Sequence, residues 1–377
     1  MLKFSFKRIS LLNTLPSEIK GYNVVIRNTA RSALCHFLLS ARVIGNRNQV
    51  LLPSFCCQSV YLSVVFAGCT PVFVDVNMNT FSLLQADLDK KISGNTLAII
   101  YPHMFGINGI DYNFSIDDYR KNFPDVIWIE DACQTYIQKN DNGNRLGTQL
   151  DVGLFSCDST KPVKGELGLI VQFSESSLLC SIFDRIKDTQ KFQVPAWRIK
   201  ELKRFESSFF TAMVAAARLG HPDLPNGIST DCLKDLYFDN SSPDNSVMML
   251  STKEIRVAME MNTFEINFMY ARLNKRIKEA RLDQVTCPDI SSRDAIWRYP
   301  IVIQEEVDAC ELSYRLRQSG IQCSNHYYSL ASLFNINRMG CPTSNSISNR
   351  MINVWFEDPV EVDICANIFK EYYRCRA

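Results

Sequence analysis

The chain has 377 residues, more than one hydrophobic core usually organises, which predicts two domains, placed here at 1–245 and 246–377. Apolar residues make up 46% and charged residues 21%, a balance that excludes wholesale disorder. Forty-one Lys and Arg against 40 Asp and Glu leave a net charge of +1, with no block of five like charges, which argues against nucleic acid as a partner.

The first half alternates helical and strand periods. Thr29 is placed as an N-cap, and Leu34, Phe37, Leu38 and Ala41 follow at helical spacing. Val50 to Leu52 reads as a strand ended by Pro53. Val60, Val64, Val65 and Ala67 form the next helical stripe, stopped by Gly68, and Val72 to Val76 is β-branched and aromatic, hence a strand. The apolar runs Leu97 to Tyr101, Val126 to Ile129, Val152 to Phe155 and Leu167 to Phe173 lack alternation, as strands do when both faces are covered. The fold class is therefore α/β, a mostly parallel sheet with helices on both faces, whose ligands collect at the carboxyl ends of the strands.

Beyond Phe173 the pattern is helical to about Gly220, and the polar stretch Asp239 to Ser246 reads as a linker. Ile255, Met259, Asn262, Ile266, Leu273 and Ile277 continue one stripe and predict a single long helix opening the second domain. Strands at Ile301 to Ile303 and Ile321 to Cys323, a helix from Val307 to Gln318 and a terminal helix from Val362 complete a smaller α+β domain.

The 14 cysteines are scattered from Cys35 to Cys375 with no C-x-x-C pair, as expected of reduced thiols in a cytoplasmic protein. Adjacent Cys56 and Cys57 lack the second spaced pair that a zinc site requires, so no metal is expected. Met1 to Ser10 offers no continuous apolar segment of signal-peptide length. The uncharged stretch Asn48 to Val74 is interrupted by Pro53, Gln58, Gly68 and Pro71, so no membrane span is expected. Only 15 residues are glycine.

Chemistry concentrates after two strands. One runs into Glu130, Asp131, Ala132, Cys133 and Gln134; the other runs into Ser156, Cys157, Asp158, Ser159, Thr160 and Lys161. An acid and a lysine so placed form either a salt bridge or two poles of a pyridoxal phosphate site. That cofactor needs a lysine amine, an acid at its ring nitrogen, and donors with a helix N-terminus for its phosphate. Lys161, Asp131, Ser156 and the turn from Thr29 to Ser32 can fill those roles.

The segments PSFCCQSVYLSVVFAGCTPVFVDV (53–76), IEDACQ (129–134), LGTQLDVGLFS (146–156) and TKPVKGELG (160–168), with GIQCSNHY (320–327), together resemble the DegT/DnrJ family of sugar aminotransferases. The resemblance implies fold type I architecture, pyridoxal 5'-phosphate and transfer of an amino group, from a donor such as glutamate, to a keto sugar carried on a nucleotide, for surface polysaccharide or secondary-metabolite sugars. It also implies a homodimer with a shared active site. Residue by residue, Lys161 matches the lysine that joins the cofactor and carries the proton, Asp131 the partner of the pyridine nitrogen, Gln134 the amide near the ring's 3-oxygen, and Ser156 the phosphate-binding hydroxyl. His326 and Tyr327 fall near the substrate, and His103 reads equally as a structural or a substrate residue.

The chain also departs from the family pattern. Ala30-Arg31 stands where the family has Gly-Thr at the phosphate-binding helix, with Arg31 able to add charge there. Cys57 replaces the ring-stacking aromatic, and Gly165-Glu166-Leu167-Gly168 is a shortened glycine loop. A different reaction on the same cofactor, a non-sugar substrate, or a catalytically silent relative with a regulatory role are the alternatives, and the retained Lys161 counts against the last.

Overall fold

The computed structural model describes residues 19, 21–110, 115–137, 139, 145–189, 192–218, 230–260, 263–288, 294–336 and 338–376. Seven strands form the larger sheet: β1 (Val24–Arg27), β2 (Gln49–Pro53), β3 (Thr70–Val74), β4 (Thr96–Pro102), β5 (Ile127–Asp131), β6 (Val152–Cys157) and β7 (Leu167–Gln172). Their spatial order is β1-β7-β6-β5-β4-β2-β3. From β3 to β6 every pairing is parallel, and toward the other edge the reversed strand β7 pairs antiparallel with both β6 and β1. All seven positions of β4 are buried, which is why its sequence is an unbroken apolar run. The sequence pattern did not show β1, because a four-residue strand ending in arginine is too short to establish a period.

Helix Ala30–Gly45 follows β1 at once. The Thr29 side chain accepts the Ser32 amide at 3.2 Å, and Asn46, with φ 49°, closes the far end in the left-handed region. Its apolar stripe, including Leu34, Phe37, Leu38 and Ala41, is fully buried. Helix Gln58–Phe66 is buried over Ser59 to Val64, hence its lack of a polar face.

Two expectations for the middle of the chain are corrected. In place of one long helix there are two, Asn245–Glu260 and Phe264–Glu279, and Asn262 lies outside the described residues. The first buries Met248, Ile255, Ala258 and Met259 against Leu167, Leu169 and Val171 of β7, whereas the second buries Tyr270, Leu273 and Ile277 in the main core. A stripe that continues in sequence is thus divided between two packing partners. Nor is the polar stretch after Phe238 a free linker. Asp239 is 1% exposed; its side chain accepts hydrogen bonds from Asn28 at 2.9 Å and the Val194 amide at 3.2 Å, and its carbonyl accepts the Ser32 hydroxyl.

The smaller sheet is antiparallel, in the order β10-β11-β9-β8, from β8 (Val285–Thr286), β9 (Tyr299–Ile303), β10 (Gln322–Ser324) and β11 (Met351–Trp355). Strands β9 and β10 and the helices Glu306–Gln318 and Pro359–Arg374 lie where the sequence puts them. Strand β11 was not foreseen, because the polar Asn353 interrupts its apolar run, yet it is central and buried. Among the described residues, no helix is long and apolar enough to cross a membrane.

Asp75, just past β3, fastens the larger sheet to the chain's last third. It accepts the Thr343 amide at 2.9 Å and the Ser344 amide and hydroxyl at 2.8 and 2.9 Å. Burial alone would raise its pKa, but these bonds outweigh it and hold the carboxyl below 3.8. A depressed folded pKa means that the contribution is complete above the unfolded value and is lost as pH falls through the folded one. Asp75→Ala is expected to lose about 3 kcal/mol of stability at neutral pH. In urea melts across pH the gap from wild type should narrow below 3.8; a gap independent of pH would contradict the assignment.

Candidate active site

At the carboxyl ends of β5 and β6, against the start of helix Ala30–Gly45, lies a cavity of about 410 Å³. Lys161 enters it from a tight turn past β6, in which the Lys161 amide donates to the Asp158 carbonyl at 3.0 Å and the Asp158 amide to the Val163 carbonyl at 3.1 Å. Burial would lower the Lys161 pKa, but Cys57, Tyr327, Cys133 and Asp131 around it outweigh that effect and raise it above 10.5. Its ammonium lies 5.8 Å from the centre of the Trp297 ring.

Asp131 ends β5 and lines the same cavity. One carboxylate oxygen accepts the Cys133 amide at 3.0 Å in a local turn, and among the described residues no ion pair joins it to Lys161. Gln134 is held at both ends of its amide: its oxygen accepts the Phe105 amide at 2.9 Å, and its nitrogen donates to the Tyr327 hydroxyl at 3.0 Å. That contact brings Tyr327, far along the chain, to the cavity beside Lys161. Burial raises the Tyr327 pKa to about 12, so its phenol is neutral at physiological pH.

The cavity also meets the start of helix Ala30–Gly45, where backbone donors are of a kind that suits an anion. Thr29, Ala30 and Arg31 line it together with Ser156. The Ser32 amide is used by the Thr29 side chain and the Ala33 amide by the Thr29 carbonyl, which leaves the amides of Ala30 and Arg31 without a partner among the described residues. A Cβ on Gly168 of β7 would stand 2.1 Å from the Ala30 nitrogen, so only glycine there lets this turn lie on the sheet. The close approach that the family pattern places at position 30 is thus made from the opposite side.

The arginine charge expected at this turn is already engaged. Arg31 pairs with the buried Glu206, which also accepts from the Tyr237 and Ser59 hydroxyls. Lys203 pairs with Asp158 at 2.8 Å; burial would raise the Asp158 pKa, but Lys203, the Thr160 amide and Arg31 hold it at about 2. Cys57 lines the cavity as the residue just before helix Gln58–Phe66.

His103 does not reach the cavity. It is 1% exposed and accepts the Gly109 amide at Nδ1, 3.0 Å, so its proton sits on Nε2 and is donated to Glu130 at 2.6 Å. Glu130 in turn accepts the Gly147, Gln149 and Leu150 amides. The pair ties strand ends together behind the site, which makes His103 structural. His326 does line the cavity, and burial, with Arg218 and Arg298 nearby, lowers its pKa so that it is neutral. Sequence reasoning missed Glu206 and Lys203, which lie on helix Ala196–Arg218 far from any motif, and the pair Trp297-Arg298 just before β9. An adjacent Trp and Arg ahead of a strand was the one visible signal.

All 14 cysteines are free thiols, and among the described residues no group of three or more His, Cys, Asp and Glu side chains is placed to hold a metal ion.

A mostly parallel sheet with its helices, joined to a smaller antiparallel sheet, is the fold type I architecture that the resemblance implies. Residues 19–179 match the model of the DegT/DnrJ/EryC1/StrS aminotransferase family. The chain is 32% identical over 144 residues to a GDP-perosamine synthase of Caulobacter vibrioides, covering 38% of each chain. It is also 32% identical over 135 residues to a UDP-N-acetyl-3-dehydro-alpha-D-glucosamine 3-aminotransferase of Acidithiobacillus ferrooxidans, covering 35% of this chain and 36% of that one. The matched segments thus span little more than a third of these relatives. The fold extends further: a DegT DnrJ EryC1 StrS aminotransferase from Brucella abortus superposes with a TM-score of 0.67 over 97% of this chain and 90% of that one, at 20% identity.

Two substitutions test the anion end, with inorganic phosphate as the probe in calorimetry. Gly168→Ala pushes the Ala30 turn off the sheet and is expected to weaken phosphate binding at least tenfold, or about 1.4 kcal/mol. Glu206→Gln releases Arg31 and is expected to tighten phosphate binding severalfold while lowering the melting temperature. Unchanged affinity in both variants would place the anion elsewhere.

Proposed function

We propose that this chain is a pyridoxal-phosphate-dependent aminotransferase that moves an amino group, from a donor such as glutamate, onto a keto sugar carried on a nucleotide. The observation that carries the reading is the convergence of Lys161 and Asp131 on one cavity whose far end offers two free helix amides. The relatives named for nucleotide-sugar chemistry support the substrate class.

The cofactor, when bound, supplies an electron sink for the carbon that loses its proton. The rest of the work falls to the chain. Lys161 holds and moves a proton at its Nζ, and must first give up the one that its surroundings favour. Asp131 offers a fixed anionic oxygen to a protonated ring nitrogen, its other contacts being confined to the local turn. Gln134 is locked by Phe105, Tyr327 and the Met104 sulfur, so the plane of its amide is fixed where it borders the cavity. The Ala30 and Arg31 amides and Ser156 would hold the phosphate, and the neutral His326 and Tyr327 would border the substrate. Cys57 adds little stacking area, so ring orientation depends more on Asp131 and Gln134 than it would beside an aromatic residue.

The reading includes a homodimer, supported by the exposed Trp197, Phe205, Met249 and Phe264, and a cytoplasmic enzyme serving surface polysaccharide or secondary-metabolite sugars.

The decisive test is covalent. Protein mixed with pyridoxal phosphate and reduced with borohydride is expected to carry the cofactor's mass on the peptide containing Lys161, and Lys161→Ala to carry none. An unlabelled Lys161 would favour the catalytically silent reading. Asp131→Asn is expected to keep the label and lose at least a hundredfold in transamination of a nucleotide keto sugar, because an amide does not stabilise a protonated ring nitrogen.

A further inference from the structure

A second cavity, of about 430 Å³, is lined by Arg42, Val43, Asn46, Arg47, Asn48 and Asn95. Asn48 directly precedes β2 and Asn95 directly precedes β4, so it lies at the amino ends of the parallel strands, whereas Asp131 and Lys161 stand at the carboxyl ends. Its other wall is the last turn of helix Ala30–Gly45, the helix whose start meets the active-site cavity. None of the chemistry proposed above uses it.

Both arginines are held in place by backbone carbonyls. Arg42 donates to the Gly68 carbonyl at 3.1 Å and lies so close against that glycine that a Cβ there would stand 2.9 Å from the Arg42 Nη1. Its Nε is buried without a partner among the described residues. Arg47 donates to the carbonyls of Thr96 at 3.2 Å and Asp125 at 3.0 Å. The Asp125 carboxylate also pairs with Arg47 at 3.6 Å, but its side chain is 70% exposed, where solvent and salt weaken such a pair. The negative end of the helix offers roughly half a charge, less than either guanidinium carries. Two like charges fixed on one cavity favour an anion that takes hydrogen bonds from both, and a phosphate group does so.

The neutral lining indicates what else the ligand carries. The Asn48 Oδ1 accepts from the Asn95 Nδ2 at 3.1 Å, while the backbone carbonyls of Asn48 and Asn95 are taken by the Thr70 and Gln49 amides at 2.7 and 3.2 Å. Acceptors that would repel a phosphate are thus already used. Side-chain amides donate and accept hydrogen bonds as sugar hydroxyls do, and three of them line the cavity. Among the described residues no aromatic ring lines it, so a nucleobase would find nothing to stack on.

We infer that this cavity is a second binding site, for a phosphorylated sugar, with the phosphate held by Arg42 and Arg47 and the hydroxyls by Asn46, Asn48 and Asn95. The site does not depend on the transaminase reading and stands if that reading fails.

The test is calorimetry of the purified full chain with glucose 1-phosphate, glucose 6-phosphate, glucose and inorganic phosphate. Wild type is expected to bind at least one of the two esters, inorganic phosphate more weakly and glucose not at all. Arg42→Gln and Arg47→Gln are each expected to weaken the ester at least tenfold, the loss of one charge-assisted contact. Asn48→Asp keeps the acceptor for Asn95 and places a negative charge in the cavity; a severalfold loss there guards against misfolding of the arginine variants. Ser156→Ala, changed in the other cavity, should bind the ester as wild type does. Neither ester bound by wild type, equal ester binding in wild type and the Arg42, Arg47 and Asn48 variants, loss confined to Ser156→Ala, or inorganic phosphate bound as tightly as the ester would each overturn the inference.

Discussion

The site depends on one close approach, the backbone of Thr29 and Ala30 lying directly on Gly168. A Cβ at that position would stand 2.1 Å from a backbone nitrogen, which does not yield as a flexible side chain would. Because the turn sits there, helix Ala30–Gly45 begins at the edge of the cavity, and its first two amides, without a partner among the described residues, belong to residues that line the cavity with Ser156 and Lys161. The turn is also held from outside the sheet, with Ser32 donating to the Asp239 carbonyl and Asn28 to the Asp239 side chain. Contacts from β7 and from the segment after residue 238 thus fix the anion end in place.

Charge in the cavity is arranged by pairing. Each acid on the wall is assigned: Glu206 to Arg31, Asp158 to Lys203, and Asp131 to a backbone amide with capacity to spare. A buried pair adds little net stability but makes the removal of either partner costly, so such pairs act mainly as constraints on position. The outcome is a wall in which Lys161, Asp131 and Arg298 are the charged side chains with no ion-pair partner among the described residues.

Much of this was legible in the chain. Buried strands announce themselves by unbroken apolar runs, as in β4, because both faces must exclude water; helix starts announce themselves through caps such as Thr29. The place of Asp131, Gln134, Ser156 and Lys161 at the cavity was legible because each lies at the end of a strand or a few residues past it, and the strand carries it to the sheet's carboxyl edge. His103 has the same local signature, but its side chain points into the Glu130 network. Direction at a strand end is set by which neighbours accept its hydrogen bonds, and that is not written in the local sequence.

The sequence by itself determined the alternation of helix and strand, the parallel sheet, and the lysine and acid at its edge, since these follow from periodicity and short-range spacing. Packing alone made the stripe from Ile255 to Ile277 two helices on different partners, gave Glu206 the charge of Arg31, and set Arg298 against the Trp297 and Trp355 rings. Each of those outcomes joins residues distant in sequence, in a geometry set by packing, and no local pattern of residues records such a distance.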